Sequence, residues 1–150
     1  MATTHLPPDF REFFQLLNAN RVEYLLIGGY AVGFHGYPRP TADVDVWIQT
    51  SPDNARRVLA ALEAFGFGAG AGANIELLTT PGNVIRMGIP PLRIEIQTEI
   101  SGVQFEECYA RRLVEDLDGI PVPIICIDDL KRNKRAAGRH KDLADLDNLP

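Results

Sequence analysis

From Thr41 to Ile48 the chain alternates without a break. Ala42, Val44, Val46 and Ile48 fall on one side, and Thr41, Asp43, Asp45 and Trp47 on the other. This is the pattern of a β-strand with one apolar and one mostly polar face. Asp43 and Asp45 are two residues apart on that polar face, so their carboxylates point the same way, about 6–7 Å apart. Two like charges side by side repel and add nothing to a sheet. A hard cation between them reverses that balance, and Mg²⁺ suits such a site because it takes a few carboxylate oxygens and completes its shell with water and substrate phosphates. The plainer reading of the pair is a solvated strand face.

Thirteen residues separate Asp43 from Gly28-Gly29, which stands at the end of the short apolar run Val22–Ile27, read as a buried strand. Tyr30 to His35 then reads as a short helix, stopped by Gly36 and Pro38. A diglycine at a strand-to-helix corner lets another group come close to the backbone, and the free N–H groups of the following helix favour a phosphate there. A second alternating stretch, Leu92 to Thr98, sets Leu92, Ile94 and Ile96 on one face and Arg93, Glu95 and Gln97 on the other. If the two polar faces lie side by side, Glu95 makes a third acid. Three acids can hold the two Mg²⁺ ions that clamp an in-line phosphoryl displacement. Glu76 and Glu99 are rival third acids, and an ion pair of Glu95 with Arg93 is the plainer reading.

The rest of the chain supplies the frame. Phe10, Phe13, Phe14 and Leu17 recur at helical spacing after Pro7-Pro8. Ser51-Pro52 opens a helix with the stripe Val58, Leu59, Leu62 and Phe65. Gly66 to Gly72, with a glycine at every second position, predicts a flexible loop. Short strands are predicted at Ile75–Leu78, Val84–Met87 and Val122–Ile127, and a helix over Phe105–Leu113. Asp128 caps a helix to Ala137, Gly138 ends it, and a last helix runs from about Arg139 to Leu149. Helices mixed with short strands in this order predict one α/β (α+β) domain over residues 1–150.

Composition narrows the function. The 150 residues are 45% apolar and 23% charged, as in a folded domain. No apolar run approaches the ~20 residues of a membrane helix, and the first residues do not resemble a secretion signal. Cys108 and Cys126 lack metal-binding spacing and read as reduced thiols, which fits a cytoplasmic protein. The net charge is −5, yet Lys131 to Lys141 holds six Lys/Arg and no acid. An acidic body with one basic segment is unlike a general nucleic-acid binder. Other motifs fail: Tyr30 stands where a dinucleotide fingerprint needs glycine, Phe34 where a P-loop needs lysine. His5, His35 and His140 have no metal spacing.

Ile27-Gly28-Gly29, thirteen residues, then Asp43-Val44-Asp45-Val46 resembles the signature of the DNA-polymerase-beta-like nucleotidyltransferase superfamily. The stretches Leu26–Val32 and His35–Asp45 look like its small bacterial members, which are related to toxins of abortive-infection and toxin–antitoxin systems. Gly88–Ile96 is similar to the strand bearing their third acid, and Asn133–Leu146 to their C-terminal helical segment. The third acid is usually Asp; here it is Glu95, one methylene longer. The resemblance implies a nucleotidyltransferase fold, a small mixed sheet flanked by helices. It implies Asp43, Asp45 and Glu95 as Mg²⁺ ligands, with Glu95 as or beside the general base. Gly28 and Gly29 would cradle phosphates, Arg39 and Thr41 would steady the substrate, and Lys134 and Lys141 would contact the triphosphate. Asp142 and Asp145 would serve the fold's salt bridges. The implied reaction is Mg²⁺-dependent transfer of a nucleoside monophosphate from an NTP to a hydroxyl of RNA, such as tRNA, or of protein, with an antitoxin as partner. The alternative is a non-catalytic nucleotide- or partner-binding module on the same fold.

Overall fold

The computed structural model describes residues 6–38, 41–66, 73–88 and 92–150. Among the described residues thirteen elements follow one another: α1 (Pro8–Ala19), β1 (Tyr24–Ile27), α2 (Gly28–Phe34), β2 (Asp43–Ile48), α3 (Pro52–Phe65), α4 (Ile75–Thr79), β3 (Val84–Met87), β4 (Arg93–Gln97), α5 (Phe105–Ala110), β5 (Leu113–Leu117), β6 (Ile120–Ile124), α6 (Ile127–Ala137) and α7 (His140–Asn148). The strands form one six-stranded mixed sheet in the order β3-β4-β2-β1-β6-β5. β2 runs antiparallel to β1 and parallel to β4, while β1 is parallel to β6; β3 and β5 close the two edges as antiparallel neighbours of β4 and β6.

Register assigns the faces. Tyr24 lies opposite Ile48 and Leu26 opposite Val46. These four are fully buried or nearly so, and with Val44 they form the floor of the core. Phe14 of α1 stacks on Tyr24, and Phe13 meets Phe65 of α3, so α1 and α3 cover this face together. Pro52 opens α3 behind the Ser51 side chain, which accepts from the Asn54 N–H, and Gly66 closes it in the left-handed region. Buried Asn54 then ties the helix to the sheet, accepting from the Glu23 N–H and donating to the Glu23 and Gln49 carbonyls. On the opposite face stand Asp43, Asp45 and Trp47, with α5 laid beside them through the edge contact of Trp47 with Phe105.

Three expectations change. Ile75–Leu78 is helical, because the Asn74 side chain accepts from the Leu77 N–H and starts a turn instead of a strand. The helix expected through Leu113 ends at Ala110, and Leu113–Leu117 forms strand β5, paired with β6 across Asp118-Gly119, both at positive φ. Cys126, not Asp128, precedes α6; Asp128 is already inside its first turn. Of the expected glycine-rich loop, residues 67–72 lie outside the described residues, as does Arg39.

Candidate functional site

The polar face of the sheet is a cleft of ≈ 1030 Å³. Asp43, Asp45, Trp47, Arg86, Glu95 and Gln97 form its floor, Gly28-Gly29 one end, and Lys134, Arg139 and Lys141 a cationic wall. Parallel pairing of β2 with β4 sets Asp45 level with Glu95 and Asp43 level with Arg93. The expected juxtaposition of the two polar faces is therefore present, with Glu95 as the acid from β4. Neither Glu76 nor Glu99 takes that place: Glu76 is in the first turn of α4, and Glu99 follows the end of β4.

Asp45 is the centre of strain. Burial pushes its carboxyl up from 3.8 to about 7, helped by a hydrogen bond with Glu95, by the negative charges of Glu95 and Asp43, and opposed by Lys141. Burial also raises Glu95. Hydrogen bonds from Asp45 and Arg86 outweigh it and hold Glu95 below its ordinary value. A proton between the two carboxyls is therefore favoured, and Asp45 is the one that takes it more readily. Arg86 Nε lies 2.8 Å from Glu95 Oε1, opposite it in the β3–β4 register.

The diglycine is fitted to this pair. Gly28 adopts φ +69°, and a Cβ there would come 2.3 Å from Asp45 Oδ2. A Cβ on Gly29 would come 2.8 Å from Thr41 Oγ1. Glycine is required at both positions by the close approach of a side chain, which in the first case is the acid itself. Thr41 Oγ1 donates to the Asp43 carbonyl at 3.2 Å, so Thr41 braces the start of β2 between the second glycine and the first aspartate.

The basic segment divides in two. Gly138, at φ +65°, ends α6, and α7 starts after Arg139, so no single helix carries Lys134 and Lys141; both nonetheless face the cleft. Lys134 is 6% exposed and pairs with Asp142 at 3.3 Å and Asp145 at 3.1 Å. Lys141 is exposed and close enough to lower the Asp45 carboxyl. Two cations escaped the sequence reading. Arg86 was detectable only by pairing the predicted strand Val84–Met87 with Leu92–Thr98. Arg139 binds Asp142 and feels the charges of Asp45 and Glu95.

Could a divalent cation sit here? Among the described residues no three His, Cys, Asp or Glu side chains gather into a ligand cage. Mg²⁺ does not need one, since one or two carboxylates, water and substrate phosphates suffice. The donor set is all oxygen, and Asp45 and Glu95 press together with a proton where a cation would relieve them. The acids fit a hard cation.

No protein-family model and no curated protein matches this chain. Among solved structures, it is similar to a Thermotoga maritima protein described as a "putative nucleotidyltransferase", at TM-score 0.61 and 12% identity, over 96% of this chain and 94% of that one. No described helix is long and apolar enough to cross a membrane. The mixed sheet, its flanking helices and the near-complete overlap together give this chain a nucleotidyltransferase-like fold.

Proposed function

We propose that this chain is a nucleotidyltransferase, moving a nucleoside monophosphate from an NTP to a hydroxyl acceptor and releasing pyrophosphate. The observation that carries the reading is the in-register pair of Asp45 and Glu95 set against the Gly28 corner in an open cleft with cations on its wall. Asp45 and Glu95, with Asp43 two residues before Asp45 on β2, would offer the carboxylates for Mg²⁺, which when bound neutralises charge on the transferring phosphoryl group. Gly28 and Gly29, which line the cleft beside Asp45 and Thr41, would turn their backbone to the phosphates. Glu95, on the floor of the cleft level with Asp45, would act as or beside the general base for the attacking hydroxyl. Lys141 and Arg139 supply positive charge to the triphosphate. Lys134, spent on two buried carboxylates, holds the wall in shape. The acceptor is an RNA end, tRNA above all, or a protein hydroxyl, and a toxin role follows from the sequence resemblance.

The test is direct. Protein, Mg²⁺ and each NTP labelled at the α-phosphate are incubated with cell RNA and protein. Label moves to one of these pools, and stops moving with Asp43→Asn or with chelator. No transfer from any NTP overturns the reading.

A second reading is a non-catalytic nucleotide- or partner-binding module. The observation in its favour is the occupation of Glu95 by Arg86. Calorimetry separates the two: nucleotide binding without metal-dependent turnover supports the module.

A further inference from the structure

Four strands meet in one row at the floor of the cleft. Arg86 on β3 stands level with Glu95 on β4, Glu95 with Asp45 on β2, and Asp45 with Ile27 on β1, just before Gly28. The row therefore runs guanidinium, carboxylate, carboxyl, glycine corner. Arg86 grips Glu95 through Nε alone. Other arginines in the molecule bind carboxylates differently. Arg111 holds Asp129 through Nε and an amino nitrogen, at 3.0 and 2.9 Å, and Arg139 holds Asp142 through the same two atoms at 2.7 and 3.3 Å. A two-point fork is the strong form of this pair. Among the described residues both amino nitrogens of Arg86 lack a hydrogen-bond partner, and the side chain is 62% exposed at the cleft.

We propose that Arg86 is a phosphate-binding residue kept in reserve on Glu95. When a nucleoside triphosphate arrives with its cation, Glu95 turns to the cation and the Arg86 fork turns to phosphate oxygens. The proposal rests on the nucleotidyl-transfer reading of this cleft and names a residue that the reading does not include. Charge is the reason for the exchange. Empty, the cleft pairs Arg86 with Glu95; loaded, it pairs cation with carboxylate and guanidinium with phosphate, so no charge is stranded in either state. The geometry suits it, because a planar fork with open amino ends matches a phosphate. Of the three cations on the wall, Lys134 is committed to Asp142 and Asp145 and Arg139 to Asp142, which leaves Lys141 as the wall cation with no ion pair among the described residues.

Two binding measurements on the whole chain test this. Trp47 is the single tryptophan and lines the cleft, so its fluorescence reports occupancy by inorganic tripolyphosphate in saturating Mg²⁺. Free Mn²⁺, counted by electron paramagnetic resonance, reports binding of the metal alone. Arg86→Gln binds tripolyphosphate about tenfold more weakly, the loss of a charge-assisted contact. The same variant binds Mn²⁺ several-fold more tightly, because Glu95 is released. Arg86→Lys keeps the charge without the fork and falls between on tripolyphosphate. A merely structural arginine would move both affinities the same way, so a joint fall overturns the proposal, as does unchanged tripolyphosphate binding. Wild-type protein that binds neither probe sinks the nucleotidyl-transfer reading itself, whereas wild-type binding with a silent Arg86→Gln sinks this proposal alone.

Discussion

Acids meet cations on opposite terms in two parts of this molecule. Around α6 and α7, Asp129, Asp142 and Asp145 are buried but surrounded. Asp129 takes Arg111 and Arg132, Asp142 takes Lys134 and Arg139, and Asp145 takes Lys134. Burial raises Asp129 and Asp142, and their ion pairs outweigh it and hold both below the ordinary carboxylate range. On β2 and β4, Asp45 is raised instead, by burial and by Glu95, and Arg86 makes only a one-point contact with the pair. Acids of the first kind belong to the fold. Asp45 is left undercompensated even with Arg86 and Lys141 nearby, which a fold gains nothing from and an incoming cation can use.

The largest effect should come from the strand pair. Asp45→Asn lowers nucleotidyl transfer by more than about a hundredfold, since even indirect partners of metal ligands are worth ~10–100-fold. Above about pH 7, where the wild-type pair carries two charges, it does not lower the melting temperature, because it removes repulsion and burial of charge. A variant that loses stability along with activity breaks the contrast from this side.

Lys134→Met is the converse. It takes from Asp142 one of its two cations and from Asp145 the Lys134 ammonium, and breaking a buried pair destabilises by about 3–5 kcal/mol. Urea unfolding checks it. Unchanged stability with weakened nucleotide binding would move Lys134 from the wall to the ligand.

The glycines sharpen the division at smaller amplitude. Gly28 and Gly138 both sit in the left-handed region, at φ +69° and +65°. Alanine at either carries a backbone strain of about 1–2 kcal/mol. At Gly138 the new Cβ finds its nearest neighbour, the Arg135 carbonyl oxygen, at 3.7 Å, so Gly138→Ala loses stability and keeps transfer activity. At Gly28 it would strike Asp45 Oδ2, so Gly28→Ala must displace the acid and loses activity as well. Equal activities in the two variants would detach the diglycine from the site.

Much of this division was legible in the sequence. Strict alternation on both strands placed Asp43, Asp45 and Glu95 on polar faces, and the sheet brought those faces together. Gly28-Gly29 announced a close approach, though not that Asp45 would make it. Pairing was the hidden quantity. Arg86 becomes meaningful only opposite Glu95, a relation set by the β3–β4 register and not by local pattern. Likewise the run from Lys131 to Lys141 has no acid within it, so its neutralisation by Asp142 and Asp145 depends on α7 folding back beside α6. The short segments failed for a related reason: five residues at Ile75–Thr79 carry too little period to outweigh one capping asparagine.

The most gradual effect is a slope in pH, and here the two regions pull in opposite directions. Asp45 is raised from 3.8 to about 7, so the folded chain keeps a proton that the unfolded chain has released. Its contribution to stability is complete below the unfolded value and is lost as pH rises through about 7. Asp129 and Asp142 are lowered, so their contribution is present above the unfolded value and is lost only as pH falls through their folded values. Urea unfolding of the metal-free protein should therefore show a stability term that declines between these limits, no steeper than ~1.4 kcal/mol per pH unit for one proton. Asp45→Asn removes that decline and leaves the acid limb intact. Saturating Mg²⁺ flattens it in the wild type as well, because a cation replaces the shared proton. A wild-type curve that coincides with the Asp45→Asn curve would mean that the strand acids are as well compensated as those of α6 and α7.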